Sequence, residues 1–177
     1  MLRKVISILL MVSSICILFC DITKSNDFEK NIDNIINTKN IDKKYDGYIS
    51  IPSLSYKGLI KTGNYKDVLD ANLVLMISDK KIIYNEYGNI ILAGHNNKYV
   101  FSKLYKLKVK DEIIISDFDK EYSYTIQKLD YINIKNKTIL DNVYDEKILT
   151  LITCTSNNQI RYVVRAKFNH IISHNNL

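Results

Sequence analysis

The chain has 177 residues, 46% of them hydrophobic, with one proline and five glycines, a composition that excludes a low-complexity or disordered chain and allows one domain plus a tail. The formal net charge is +6, yet the lysines are scattered and read as a solvated surface rather than a patch for anionic polymers. No helical basic face, aromatic ribonucleoprotein motif or zinc-ligand spacing accompanies them, so no nucleic acid is expected as a partner.

Arg3 and Lys4 precede an apolar run from Val5 to Cys20. As a helix those sixteen residues are about 24 Å long, a little short of a bilayer core but within what local thinning tolerates. A cleaved secretion signal and an uncleaved anchor compete. No small-x-small site precedes Asp21, and Phe19 stands where a lipoprotein cleavage site requires a small residue. The segment is therefore read as an anchor over residues 1–20, basic end inside, with the remainder exported. Cys16 and Cys20 then lie in the membrane, which leaves Cys154 as the one exported thiol, without a disulfide partner.

Residues 21–46 are polar. Phe28, Ile32, Ile35 and Ile36 recur at helical spacing, and Asn26 with Glu29 forms a candidate capping box for a short amphipathic helix. This segment reads as a stalk that spaces the domain from the membrane, in preference to a helix packed on the domain and governing access to it.

From Gly47 eight strand-like runs follow: Tyr48 to Ile51, Ser55 to Ile60, Asn72 to Ile77, Ile90 to Ala93, Glu112 to Ser116, Tyr122 to Ile132, Ile148 to Cys154, and Ile160 to Phe168. Short strands with polar connections and little helix predict an all-β closed barrel over residues 47–169, followed by a polar tail, 170–177. Lys66 to Leu69 and Tyr99 to Leu104 read as single helical turns. The longest polar insertion, Asn133 to Lys147, is interrupted by Ile134, Ile139, Leu140 and Val143, which either plug one barrel end or serve a pocket.

The stretch KILTLITCTSNNQIRYVVRAK, Lys147 to Lys167, carries the chemistry. It is a strand, a turn of short polar residues, and a second strand in which Arg161, Val163, Arg165 and Lys167 alternate with Tyr162, Val164, Ala166 and Phe168. Cys154 closes the first strand and Arg161 opens the second, so a thiol and a guanidinium share one rim. A cysteine attacking an acyl group makes an oxyanion that a fixed, always-charged guanidinium can stabilise. His95, delivered by the apolar strand of NIILAGHNN, is the candidate proton carrier, because His170 and His174 fall beyond the last expected strand. Arg165 lies on the same face as Arg161 and competes for the oxyanion role, but spacing from Cys154 favours Arg161.

TLITC with Arg161 seven positions later, preceded by GNIILAGH and FSKL, resembles the sortases, the cysteine transpeptidases of Gram-positive cell surfaces. IPSL (Ile51 to Leu54) and KTGNYKDVLDANLVLM (Lys61 to Met76) extend the resemblance, which runs from about Gly47 to Phe168. It implies an eight-stranded sortase-like barrel and a catalytic set of His95, Cys154 and Arg161. It also implies a sorting-signal pocket formed by the Asn133 to Lys147 connection, with Ile139 and Leu140, together with Ala93, Thr150 and Ile152. The implied partners are an LPXTG-like sorting-signal peptide of secreted surface proteins, an amine acceptor such as a peptidoglycan precursor or pilin lysine, and the membrane through the N-terminal helix. His95 stands 59 positions before Cys154, which leaves no room for the long helix of class B enzymes and fits a compact class A or class D type. No cofactor is expected. Asp79, Glu86, Asp141, Asp145 and Glu146 lie in connections that help bind Ca²⁺ in some sortases, but show no ligand spacing of their own. Two alternatives to a transpeptidase stay open: an exported cysteine hydrolase, in which water resolves the thioester, and a catalytically inactive peptide-binding barrel.

Overall fold

Eight strands close into a barrel in the computed structural model, which describes residues 2–38, 44–77, 87–136, 138 and 145–172. They are β1 (Gly47–Ile51), β2 (Tyr56–Lys61), β3 (Val74–Met76), β4 (Gly88–Gly94), β5 (Glu112–Ser116), β6 (Glu121–Asn133), β7 (Lys147–Cys154) and β8 (Ile160–Ile172). Around the barrel they follow the order β1-β2-β3-β4-β7-β8-β6-β5, and β5 pairs back onto β1. Two neighbouring pairs, β2 with β3 and β4 with β7, are parallel; the others are antiparallel. The short helices are α2 (Tyr65–Asp70) and 3-10 turns at Pro52–Leu54 and Leu104–Lys106. This is the all-β, eight-stranded architecture that the alternating short strands imply.

The pleat sorts the side chains. Leu149 and Leu151 of β7, Leu92 of β4 and Val164 of β8 point into the barrel and are wholly buried, together with Ile49, Ile60, Ile113 and Ile115 from the opposite wall. Each such side chain contributes about 1.5–3 kcal/mol by leaving water. Closure of the sheet removes both free edges, so none of the eight described strands is left as a template for pairing with another chain.

Differences from the sequence reading have local causes. β3 is shorter than expected because Asn72 takes a left-handed φ of 57° and the Leu73 N–H donates to Val68 O at the end of α2, at 3.2 Å. β8 runs on through His170 to Ile172, since its ladder with β6 continues to the Glu121–Ile172 pair whatever the polarity of the side chains. Of the apolar residues expected to plug a barrel end, Ile134 is exposed; Ile139, Leu140 and Val143 lie outside the described residues.

The largest correction concerns the N-terminal segment. A single helix, α1, spans Leu2–Asn37, so Asn26 is an interior residue rather than an N-cap. Nothing in the segment breaks it, because the first glycine is Gly47 and the one proline is Pro52. Nor is its second half a free stalk. Ile32 is buried with Tyr48 and Leu59, flanked by Phe28, Ile35 and Ile36; the Phe28 ring lies 4.9 Å from that of Tyr99, and Asp33 pairs with Lys57 Nζ at 2.7 Å. The apolar contacts hold the helix, since an exposed ion pair of this kind adds little. The first half is different: its apolar side chains, Ile8 to Phe19 among them, are exposed, and the helix is long and apolar enough to cross a membrane by length and composition.

Candidate active site

Strand register brings the three sequence-nominated residues together. β4 and β7 run parallel, with Gly94 opposite Thr153, so the next residues, His95 and Cys154, leave the barrel side by side at the same end. β7 and β8 run antiparallel, with Cys154 opposite Arg161. Neighbouring strands lie about 4.8 Å apart, which sets His95, Cys154 and Arg161 in a row with the thiol in the middle. Cys154 is exposed and unbridged; His95 and Arg161 are half-buried.

Alternation puts Cys154 on the outer face of β7 with Ile152 and Thr150, beside Ala93 and Ile91 of β4 and Val163 and Arg165 of β8. Ala93 and Ile152 are register partners, both half-buried, one step below the His95–Cys154 level. Thr150 is in the same row but fully buried, and its hydroxyl donates to Asn89 Oδ1 at 2.7 Å. Ile139 and Leu140, the remaining residues nominated for a substrate pocket, lie outside the described residues.

Arg165 pairs with Thr150 in the ladder, four residues from the Cys154 level, or about 13 Å along the strand. It is too remote to reach a group held at the level of Cys154 and Arg161. Arg161 is held by its own hairpin: Nη1 donates to Asn158 O at 2.9 Å and to Ile160 O at 3.1 Å. The turn beneath is braced by the Thr155 hydroxyl, which donates to Ile160 O at 3.1 Å, and by Asn157 Oδ1, which accepts from the Gln159 N–H at 2.9 Å. A guanidinium has five N–H donors, so this anchoring leaves capacity for an anion. Tyr162, next in sequence, faces inward; burial, and then its neighbour Tyr131, push its phenol above the ordinary value, which removes it as a proton carrier near neutral pH.

The sequence reading overlooked the groups that fix the histidine. Thr153 points inward, and its hydroxyl donates to Gly94 O at 2.9 Å in a buried site, clamping the ends of β4 and β7 immediately before His95 and Cys154. Beyond His95 the chain turns back. The Phe101 N–H donates to His95 O at 3.0 Å, and Asn97 Oδ1 accepts from the Tyr99 and Val100 N–H groups at 2.9 and 3.1 Å. The signal was available in the motif itself: a threonine one residue before the cysteine, opposite a glycine one residue before the histidine.

Gly94 also has a packing reason. A methyl group there would sit 2.6 Å from both Phe101 Cδ2 and Val100 Cγ1, two buried side chains. Gly94→Ala should therefore cost roughly 1–3 kcal/mol, the usual range for overpacking a filled core, and displace His95. Thermal unfolding checks it; a melting temperature equal to that of the parent would refute the close fit.

Among the described residues, no group of three or more His, Cys, Asp or Glu side chains is placed to hold a metal ion. Of the carboxylates that the resemblance connects with Ca²⁺, Asp79, Glu86 and Asp141 lie outside the described residues, and Glu146 pairs with Lys167 Nζ at 2.6 Å.

Comparison with known proteins places this geometry. A family model for the sortase domain matches residues 49–169. Sortase A of Bacillus anthracis is 30% identical over 159 residues, covering 78% of this chain and 73% of that protein. Sortase A of Listeria monocytogenes is 32% identical over 111 residues, 61% of this chain, and the match spans only 48% of that relative's length. Among solved structures, the sortase D5 transpeptidase of Clostridium perfringens superposes with a TM-score of 0.66 at 26% identity, covering 80% of this chain and 95% of that one. With the family model spanning most of the chain and the barrel, the hairpin and the His–Cys–Arg row all in place, this chain belongs to the sortase family.

Proposed function

We propose that the protein is a membrane-anchored, extracellular cysteine transpeptidase that cleaves an LPXTG-like sorting signal and passes the acyl group to an amine. The observation that carries this reading is the row His95–Cys154–Arg161, made by the registers of three neighbouring strands. The Cys154 thiolate attacks the backbone carbonyl after the threonine-like residue of the signal. Arg161 donates to the resulting oxyanion, and protonated His95 gives its proton to the departing amine as the peptide bond breaks, leaving a thioester on Cys154. An incoming amine then loses its proton to His95 and attacks the thioester, releasing the Cys154 thiolate and forming a new amide. The acceptor is a peptidoglycan-precursor amine or a pilin lysine.

Ala93 and Ile152 fit the floor of the peptide groove, because they lie one residue pair below the thiol on the same outer face. Thr150, buried and bonded to Asn89, supports that floor.

The test is a peptide-library screen with the full chain in detergent, with and without an added amine such as triglycine. Expected are a thioester adduct on Cys154 and a cross-linked amide product that displaces free acid when amine is present. Free acid alone at saturating amine would point to the cysteine hydrolase instead, and an intact library would leave a peptide-binding barrel.

A further inference from the structure

The contacts of the N-terminal helix show which end of the barrel it leaves from. Following α1 backwards, Asp33 pairs with Lys57 of β2, the Phe28 ring packs at a tilt against Tyr99, and Asp21 pairs with Lys98. Tyr99 and Lys98 stand four and three residues after His95, so α1 leaves the barrel at the end that carries His95, Cys154 and Arg161. Its apolar run stops at Cys20, immediately before Asp21. At 1.5 Å rise per residue, Lys98 is therefore within a helical turn of the level where the apolar stretch begins.

The segment that starts there is dense in lysine. From Asn96 to Lys110 it contains Lys98, Lys103, Lys106, Lys108 and Lys110 and no acidic residue. All five lysines are exposed, as are Tyr105 and Val109. Between them Val100, Phe101, Leu104 and Leu107 are buried in the barrel core, so the lysines stand on a support fixed by packing rather than on a loose loop. Lysines flanked by an exposed tyrosine and valine match the requirements of a bilayer interface: cations for phosphate headgroups, and an amphipathic ring for the boundary itself.

We propose that residues 98–110 form a membrane-contacting surface that lies on the anionic phospholipid headgroups around α1 and turns the rim bearing Cys154 toward the bilayer. This rests on the reading of α1 as a membrane anchor. The charge complementarity is with anionic lipid, and the surface is continuous with the point where the helix enters the membrane. A peptide acting as acyl donor would then reach Cys154 along the membrane plane, which suits substrates that are themselves held at the membrane surface.

The chain has no tryptophan, which makes the test direct. Full-length protein carrying Tyr105→Trp is reconstituted into vesicles of phosphatidylcholine alone or with phosphatidylglycerol, each doped with a lipid bearing a quencher near the headgroup. A second protein carrying Leu10→Trp reports on the anchor. The expected result is quenching of the Leu10→Trp protein in both vesicles, and quenching of the Tyr105→Trp protein several-fold stronger with phosphatidylglycerol. The latter should weaken as salt rises through the range where the screening length falls below about 10 Å, and on adding Lys103→Gln, Lys106→Gln and Lys108→Gln. A Tyr105→Trp signal that is silent or equal in the two lipids, while the Leu10→Trp protein is quenched, overturns the proposal alone. No quenching at position 10 overturns the anchor and the proposal together. A Tyr105→Trp signal that ignores lipid but responds to soluble polyphosphate would assign the lysines to a free polyanion and likewise overturn it.

Discussion

Cys154→Ala should abolish thioester formation while leaving the barrel folded. The side chain is exposed at the end of β7, so removing its sulfur takes away almost no buried contact, unlike truncation of Leu151, three residues earlier and buried in the core. The nucleophile has no substitute: Cys16 and Cys20 lie in α1, on the segment read as the anchor. Loss of turnover on the order of 10⁴ or more is expected, the scale seen when a covalent catalyst loses its attacking atom, with an unchanged melting temperature. Mass spectrometry of the enzyme mixed with peptide reads the adduct directly, and turnover by the variant above background would remove Cys154 from its proposed role.

Arg161→Lys should be the second most damaging change, costing roughly 10²–10³-fold in kcat, the range for losing one well-placed oxyanion donor. Lysine keeps the charge but not the planar fork. In this structure the fork is what lets Nη1 hold Asn158 O and Ile160 O while other N–H groups stay available. A lysine drawn to those same carbonyls would either leave the hairpin or abandon the oxyanion. Arg165→Lys provides the contrast. It sits opposite Thr150, not opposite Cys154, and should change turnover little. Steady-state kinetics on both variants decide it, and the reverse ranking would transfer the oxyanion role to Arg165.

Much of this was legible in the sequence because the information is local. A run of alternating residues specifies which side chains face inward once a strand forms, so the Cys154–Arg161 hairpin follows from the two runs and the polar turn between them. Composition and spacing likewise marked the apolar leader and the all-β class. The continuity of α1 could also have been inferred, since no glycine or proline interrupts residues 2–37; the polar shift at Asp21 suggested a new element where there was only a change of surroundings.

What the tertiary structure alone decided is long-range. His95 and Cys154 are 59 positions apart, and only the parallel pairing of β4 with β7 makes them neighbours. Periodicity cannot encode that pairing, because a strand's inward face is compatible with any partner of matching length and pattern. The docking of Ile32 on Tyr48 and Leu59 is of the same kind: it depends on apolar residues that the closed barrel leaves on its outer wall. The residue types at the rim and the apolar leader are properties of single short segments. Only the packing of α1 against the barrel decided which end of the barrel lies beside that leader, because a helix's direction relative to a sheet is set by contacts between distant segments and not by either segment's own pattern.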